Sequence, residues 1–140
     1  MRRFIGVSKL PRLDPFLMLD WFNVALPAGF PDHPHRGFET VTYMLSGEIW
    51  HEDFKGHKGS IGPGDIQWMT AGKGIIHAEM PASFTEPANG FQLWINLEKK
   101  NKFCDPRYQE FKNESIPIYK HDSMTAKVIA GEVFGVQGPI

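Results

Sequence analysis

Five of the six histidines fall between His33 and His77, although composition alone would scatter them along the chain. Two of them, His33 and His35, stand two residues apart, and a third, His77, stands two before Glu79. On a β-strand, residues i and i+2 project from the same face, so each pair aims both of its side chains together. Two facing strands would bring three imidazoles and one carboxylate to a common point, a donor set that suits Fe, Mn, Ni, Cu or Zn. Four protein ligands on an octahedral ion leave two positions for water, substrate or O₂. The simpler alternative makes His33-Pro34-His35 a polar loop and His77 a hydrogen-bonded core residue.

Other residues with chemical potential are less sharply placed. Glu39 follows His35 at a spacing that permits ligation, but a supporting or structural role is preferred. His51, Glu52, Asp53 and His57 flank a turn at Gly56; they could form a second metal site, and a solvated loop is the preferred reading. Asp32 could orient an imidazole or cap a turn. Trp50, Trp68, Trp94, Phe30 and Phe38 could wall an aromatic pocket, although core packing is the commoner fate of such residues. Cys104 has no histidine near it in sequence and is not expected to be a nucleophile.

Positioning two His pairs this way requires strands, and the sequence supplies them. Val41, Tyr43 and Leu45 alternate with Thr40, Thr42 and Met44, and the same period of two recurs from Phe91 to Leu97. Shorter runs lie at 48–51, 65–69, 75–80 and 126–129. Turn chemistry separates them at Ser46-Gly47, Lys55-Gly56, Gly62-Pro63-Gly64-Asp65, Ala71-Gly72-Lys73-Gly74 and Asn89-Gly90. Long helical periodicity is absent, and the segment from Pro106 to Phe111 is expected to form one short helical turn. The fold class that follows is all-β, an antiparallel sandwich or barrel.

With 140 residues, 41% hydrophobic and 13% aromatic, the chain has material for one well-packed domain and is too apolar for disorder. A net charge of -1 without a basic run argues against nucleic-acid binding. One cysteine excludes an intrachain disulfide framework. No run resembles a signal peptide or a membrane span, so a soluble cytoplasmic protein is expected, or a nuclear one in a eukaryote.

Several stretches together carry a resemblance: Leu13-Asp14-Pro15-Phe16, Gly29-Phe30-Pro31-Asp32-His33-Pro34-His35-Arg36-Gly37-Phe38-Glu39-Thr40-Val41, His51-Glu52-Asp53-Phe54, Gly64-Asp65-Ile66-Gln67-Trp68-Met69-Thr70-Ala71-Gly72 and Ile76-His77-Ala78-Glu79-Met80-Pro81. In these the chain resembles the pirin family throughout its length. The resemblance implies a cupin (jelly-roll) fold, with residues 1–140 forming a single cupin domain that corresponds to the amino-terminal, metal-bearing half of a two-cupin protein. It also implies that His33, His35, His77 and Glu79 ligate the metal. Gly29 stands only three residues before the His pair, closer than in a typical cupin, and this departure is itself pirin-like.

Two functions follow from the resemblance. One is a mononuclear Fe(II) dioxygenase that opens a flavonol such as quercetin by 2,3-dioxygenation, with Glu79 taking the proton of the 3-hydroxyl and O₂ as co-substrate. The other is an iron-dependent redox-sensing module that binds a transcription factor of the NF-κB class. Fe(II) is the expected ion; Zn, Mn, Ni and Cu remain open because the Irving–Williams order favours other metals at such a site. Gly29 and the 72–74 turn are expected to admit a planar ligand. The face left by an absent second cupin is expected to promote a homodimer.

Overall fold

The computed structural model describes residues 1–140. Fourteen strands and two single turns of 3₁₀ helix make up its regular structure, and no helix is long and apolar enough to cross a membrane. The first ten strands are β1 (Arg2–Ile5), β2 (Phe16–Val24), β3 (Phe30–His35), β4 (Phe38–Ser46), β5 (Ile49–Asp53), β6 (Lys58–Ile61), β7 (Ile66–Thr70), β8 (Ile75–Pro81), β9 (Ala88–Asn96) and β10 (Arg107–Phe111). They form a six-stranded sheet in the order β1-β2-β9-β4-β7-β10 and a four-stranded sheet in the order β3-β8-β5-β6. The pairings β1–β2, β2–β9, β9–β4 and β4–β7 of the first sheet, and all three of the second, are antiparallel. This is the all-β sandwich of cupin type that the sequence leads one to expect.

The chain forms two compact units, Met1–Glu110 and Phe111–Ile140. The second contains the hairpin of β11 (Ile118–His121) with β12 (Met124–Lys127), and the small ribbon of β13 (Glu132–Val133) with β14 (Val136–Gln137). Tyr119 and Phe134 pack with ring centroids 4.8 Å apart within it.

Alternation decides which side chains the first unit buries. Along β5, Ile49, His51 and Asp53 are buried while Trp50 and Glu52 are exposed, and along β8, Ile75, His77, Glu79 and Pro81 are buried. Phe22, Met44, Ile49, Ile61 and Ala88 join the two sheets in one apolar cluster, and Met69, Ala71 and Ile75 form another against Tyr108. Between these clusters the interior is polar, because the inward register also carries Thr42, Gln67, His77 and Glu79.

Gly90 shows how tightly the apolar end closes. It lies opposite Phe22 on one neighbour strand and Met44 on the other. An added Cβ would meet the Tyr43 carbonyl and stand 2.8 Å from Phe22 Cζ. Gly90→Ala is therefore expected to cost about 1–3 kcal/mol by overpacking, read from urea denaturation. A change below about 0.5 kcal/mol, the size of an ordinary surface substitution, would show that the sheets separate easily here.

The segment from Pro106 to Phe111 is not the helical turn expected from sequence. Residues 107–111 are the edge strand β10, and the 3₁₀ turns fall on either side at Lys99–Asn101 and Asn113–Ser115. Edge pairing in a large sheet overrides weak local preference.

Candidate metal centre

Strand pairing brings the two His pairs face to face. In the β3–β8 register His33 lies opposite His77, with an irregularity between Phe30 and His33. The nitrogen donors of His33, His35 and His77 lie within 4.8 Å of one another. Their ring centroids are 4.6, 4.6 and 5.0 Å apart.

Three features fit this cluster to a cation. Both ring nitrogens of His35 and of His77 are buried without a hydrogen-bond partner, an arrangement that costs free energy unless something coordinates them. Burial, reinforced by the charge of His33, holds His35 down at about 4. Burial, then the charges of His35, His33 and His51, holds His77 down at about 3. Both rings are thus neutral near pH 7, the form in which imidazole ligates. Finally, His33 Nδ1 lies 2.8 Å from the Pro31 carbonyl, which can only accept, so Nδ1 carries the proton and Nε2 presents its lone pair.

Glu79 is placed differently. Its carboxylate is not among the donor atoms of the His cluster. Thr42 Oγ1 donates to Glu79 Oε1 at 3.3 Å, and Gln92 Nε2 donates to Oε2 at 3.0 Å. Complete burial pushes its pKa up, against the opposing hydrogen bond from Gln92 and the nearby His33 and His51. A buried carboxyl so held can keep a proton or, deprotonated, turn to an ion.

A cleft of about 390 Å³ opens onto His33 and is lined by Met18, Phe22, Gly29, Phe30, Gln92 and Trp94. That volume falls within the range of about 300–1,000 Å³ usual for small-molecule sites. Trp94 also walls His35, edge to face at 5.3 Å, and packs against Phe38 at 4.7 Å. At the outer part of the cleft, Arg3 makes a two-pronged contact with buried Asp20, both N–O distances being 2.8 Å.

The remaining candidates sort themselves by position. Glu39 accepts a hydrogen bond from Thr70 Oγ1 at 2.6 Å across the strand pair, away from the His cluster. Asp32 is exposed, and Glu52 pairs with Lys58 at the surface. Trp50 is 60% exposed on the outer face of the four-stranded sheet and walls no inward pocket. Gly29 does line the cleft, but Gly72 does not admit a ligand: the space beside it is filled by the Cys104 backbone. Thr42, Gln92, Arg3 and Asp20 were not singled out as site residues from sequence. The available signal was a polar residue at an inward position of an otherwise apolar strand, and it becomes readable only when the facing sheet is known.

The chain is similar to known proteins both in sequence and in fold. The Pirin family profile matches residues 1–95. Pirin-like protein 2 of Arabidopsis thaliana is 59% identical over the whole chain, and human Pirin 55%. The chain spans 43% and 48% of those two proteins respectively, about half the length of the relatives it matches. Among solved structures, a quercetin 2,3-dioxygenase from Acinetobacter baumannii superposes with a TM-score of 0.85 at 36% identity, over 98% of this chain and 52% of that one. The nickel(II) complex of the bacterial pirin YhhW from Escherichia coli gives 0.70 at 31% identity, over 76% of this chain and 45% of that one. With the family profile covering more than half the chain and its paired His motifs converging on one point, this protein belongs to the pirin family.

Proposed function

We propose that the His33–His35–His77 cluster, completed by Glu79, is a mononuclear Fe(II) centre that serves dioxygenation of a flavonol-like substrate. The observation that carries this reading is the set of unpartnered buried nitrogens of His35 and His77 clustered with His33, which lines an aromatic-walled cleft. The structural likeness to a quercetin 2,3-dioxygenase supports the choice of substrate class.

The bound ion would supply Lewis-acid and redox chemistry toward the substrate and O₂. The chain's own residues do the rest. His33, with its tautomer fixed by Pro31, presents Nε2. Phe30 and Trp94 flank the cleft and suit a flat aromatic ring. Glu79 is the base for the substrate's acidic hydroxyl, since burial raises its affinity for a proton. Thr42 and Gln92 hold the carboxyl in place while its protonation changes.

The test is anaerobic reconstitution with Fe(II), then addition of quercetin and air, following flavonol absorbance, oxygen uptake and carbon monoxide together. Coupled consumption with carbon monoxide release is expected. Iron uptake without flavonol loss would overturn the enzyme reading in favour of a redox-sensing binding module, for which the exposed Trp50 and Phe54 offer contact surface.

A further inference from the structure

A second group of metal-type donors lies in the same sandwich. Strand β5 turns His51 inward, opposite Glu79 on β8 and Gly59 on β6. Gly59 leaves room for the ring: an added Cβ would stand 2.5 Å from His51 Nε2. The turn that follows β5 carries His57, whose backbone N–H donates to Asp53 Oδ1 at 3.0 Å, which fixes the turn. Edge strand β10 then delivers Glu110, and the donor atoms of His51, His57 and Glu110 all lie within 4.8 Å of one another.

The surroundings are those of a built site. The His51 side chain is 1% exposed, and neither of its ring nitrogens has an aligned hydrogen-bond partner, although Nε2 lies 2.9 Å from Glu110 Oε1. His57 Nε2 is 3.6 Å from the same oxygen and is likewise buried without a partner. Gln67 Nε2 donates to Glu110 Oε1 at 2.7 Å and so orients the carboxylate. Tyr108 stacks on His57 at 4.2 Å and forms a wall. The close approach of the His51 ring, helped by the hydrogen bond from Gln67, holds Glu110 down at about 2, so it is a carboxylate at any physiological pH.

Tetrahedral ligands at the usual Zn–N and Zn–O lengths of about 2.0–2.1 Å stand about 3.3–3.4 Å apart. The observed 2.9 and 3.6 Å bracket that value, so small side-chain movements would complete the geometry. We propose that His51, His57 and Glu110 form a second cation site, separate from the His33–His35–His77 centre, that takes a borderline divalent ion of the Zn(II) class with a fourth position left for water. Two histidines and one glutamate form an established ligand set for Zn(II). The His57 side chain, 39% exposed, gives the ion its way in. The alternative is a plain ion pair between protonated His51 and Glu110, with no place for a metal.

The experiment is equilibrium dialysis of the metal-free chain against Zn(II), with metal counted by mass spectrometry for wild type, His77→Ala, His57→Ala and Glu110→Gln. Two equivalents are expected for wild type and one for each variant. In His77→Ala, Co(II) in place of Zn(II) should give the intense visible bands of a four-coordinate ion, and His57→Ala should remove them. The equivalent kept by His57→Ala and Glu110→Gln reports that they fold, because it occupies the other centre. A single wild-type equivalent lost with His77→Ala but kept by His57→Ala would overturn the second site. So would two equivalents retained by both His57→Ala and Glu110→Gln. A single equivalent lost only with His57→Ala would instead uphold this site and overturn the proposed iron centre.

Discussion

His77→Ala is expected to abolish stoichiometric metal binding at the primary centre while leaving the metal-free fold nearly as stable as before. Affinity for Fe(II) should fall more than about 100-fold, beyond the 10–100-fold that loss of an orienting partner costs at a metal site. His77 is central: it faces His33 across the strand pair, and both of its nitrogens are buried without a protein partner. Without an ion, those nitrogens are an unfavourable burden, so deleting the ring removes a desolvation cost together with its packing. With an ion at 100 times its Kd, wild type gains about 2.7 kcal/mol of stability that the variant lacks. The readout is thermal unfolding of both proteins with and without Fe(II), in a His57→Ala background so that only one centre is scored. A structural core histidine would give the opposite pattern, with a large loss in the metal-free state and an unchanged response to iron. That outcome would remove the basis of the metal-centre reading.

The contrast between these outcomes also shows what could be read from the chain. Strands β4 and β9 are legible because β-branched and aromatic residues alternate along them and Gly-containing turns bound them. Strand β3 is not, since Phe30-Pro31-Asp32-His33-Pro34-His35 has no alternation and two prolines. Its extended form comes from pairing with β8, a tertiary cause. The His33–His35 and His77 spacing survives that ignorance, because i and i+2 share a face on any strand. The Glu110 partnership does not survive it: residues that meet only because β10 closes the sheet edge carry no local signal, and the sequence favoured a turn there. The same limit hid Thr42 and Gln92, which lie opposite each other on adjacent strands and reach Glu79 from the facing sheet.

Acid should destabilise the metal-free protein with a slope that Glu79→Gln makes steeper. His35 and His77 titrate in the folded chain at about 4 and about 3, below the 6.5 of a free imidazole, because burial disfavours their charged forms. As pH falls below 6.5 the unfolded chain takes up two protons that the folded chain refuses, so acid progressively favours the unfolded chain. Glu79 acts in the other direction. Its folded pKa is raised by burial, so the folded chain holds a proton that the unfolded chain releases above about 4.5, and acid favours the fold through this group. Between pH 6.5 and 4.5 the two imidazoles drive the loss of stability, and Glu79 offsets part of it. Glutamine keeps the shape of the buried carboxyl and cannot titrate, so in Glu79→Gln the difference approaches two protons, about 2.7 kcal/mol per pH unit. Glu110, held down at about 2, begins to lose its contribution as pH approaches the ordinary carboxylate value near 4.5, at the acid edge of this window, and does so equally in both proteins. Urea denaturation of both proteins from pH 7 to pH 5, with metal removed by chelation, measures the two slopes. Equal slopes would mean that Glu79 is already ionised in the metal-free fold. Its proton could then not be what an incoming cation displaces, and the carboxyl would be a standing ligand rather than a base that Thr42 and Gln92 keep in reserve.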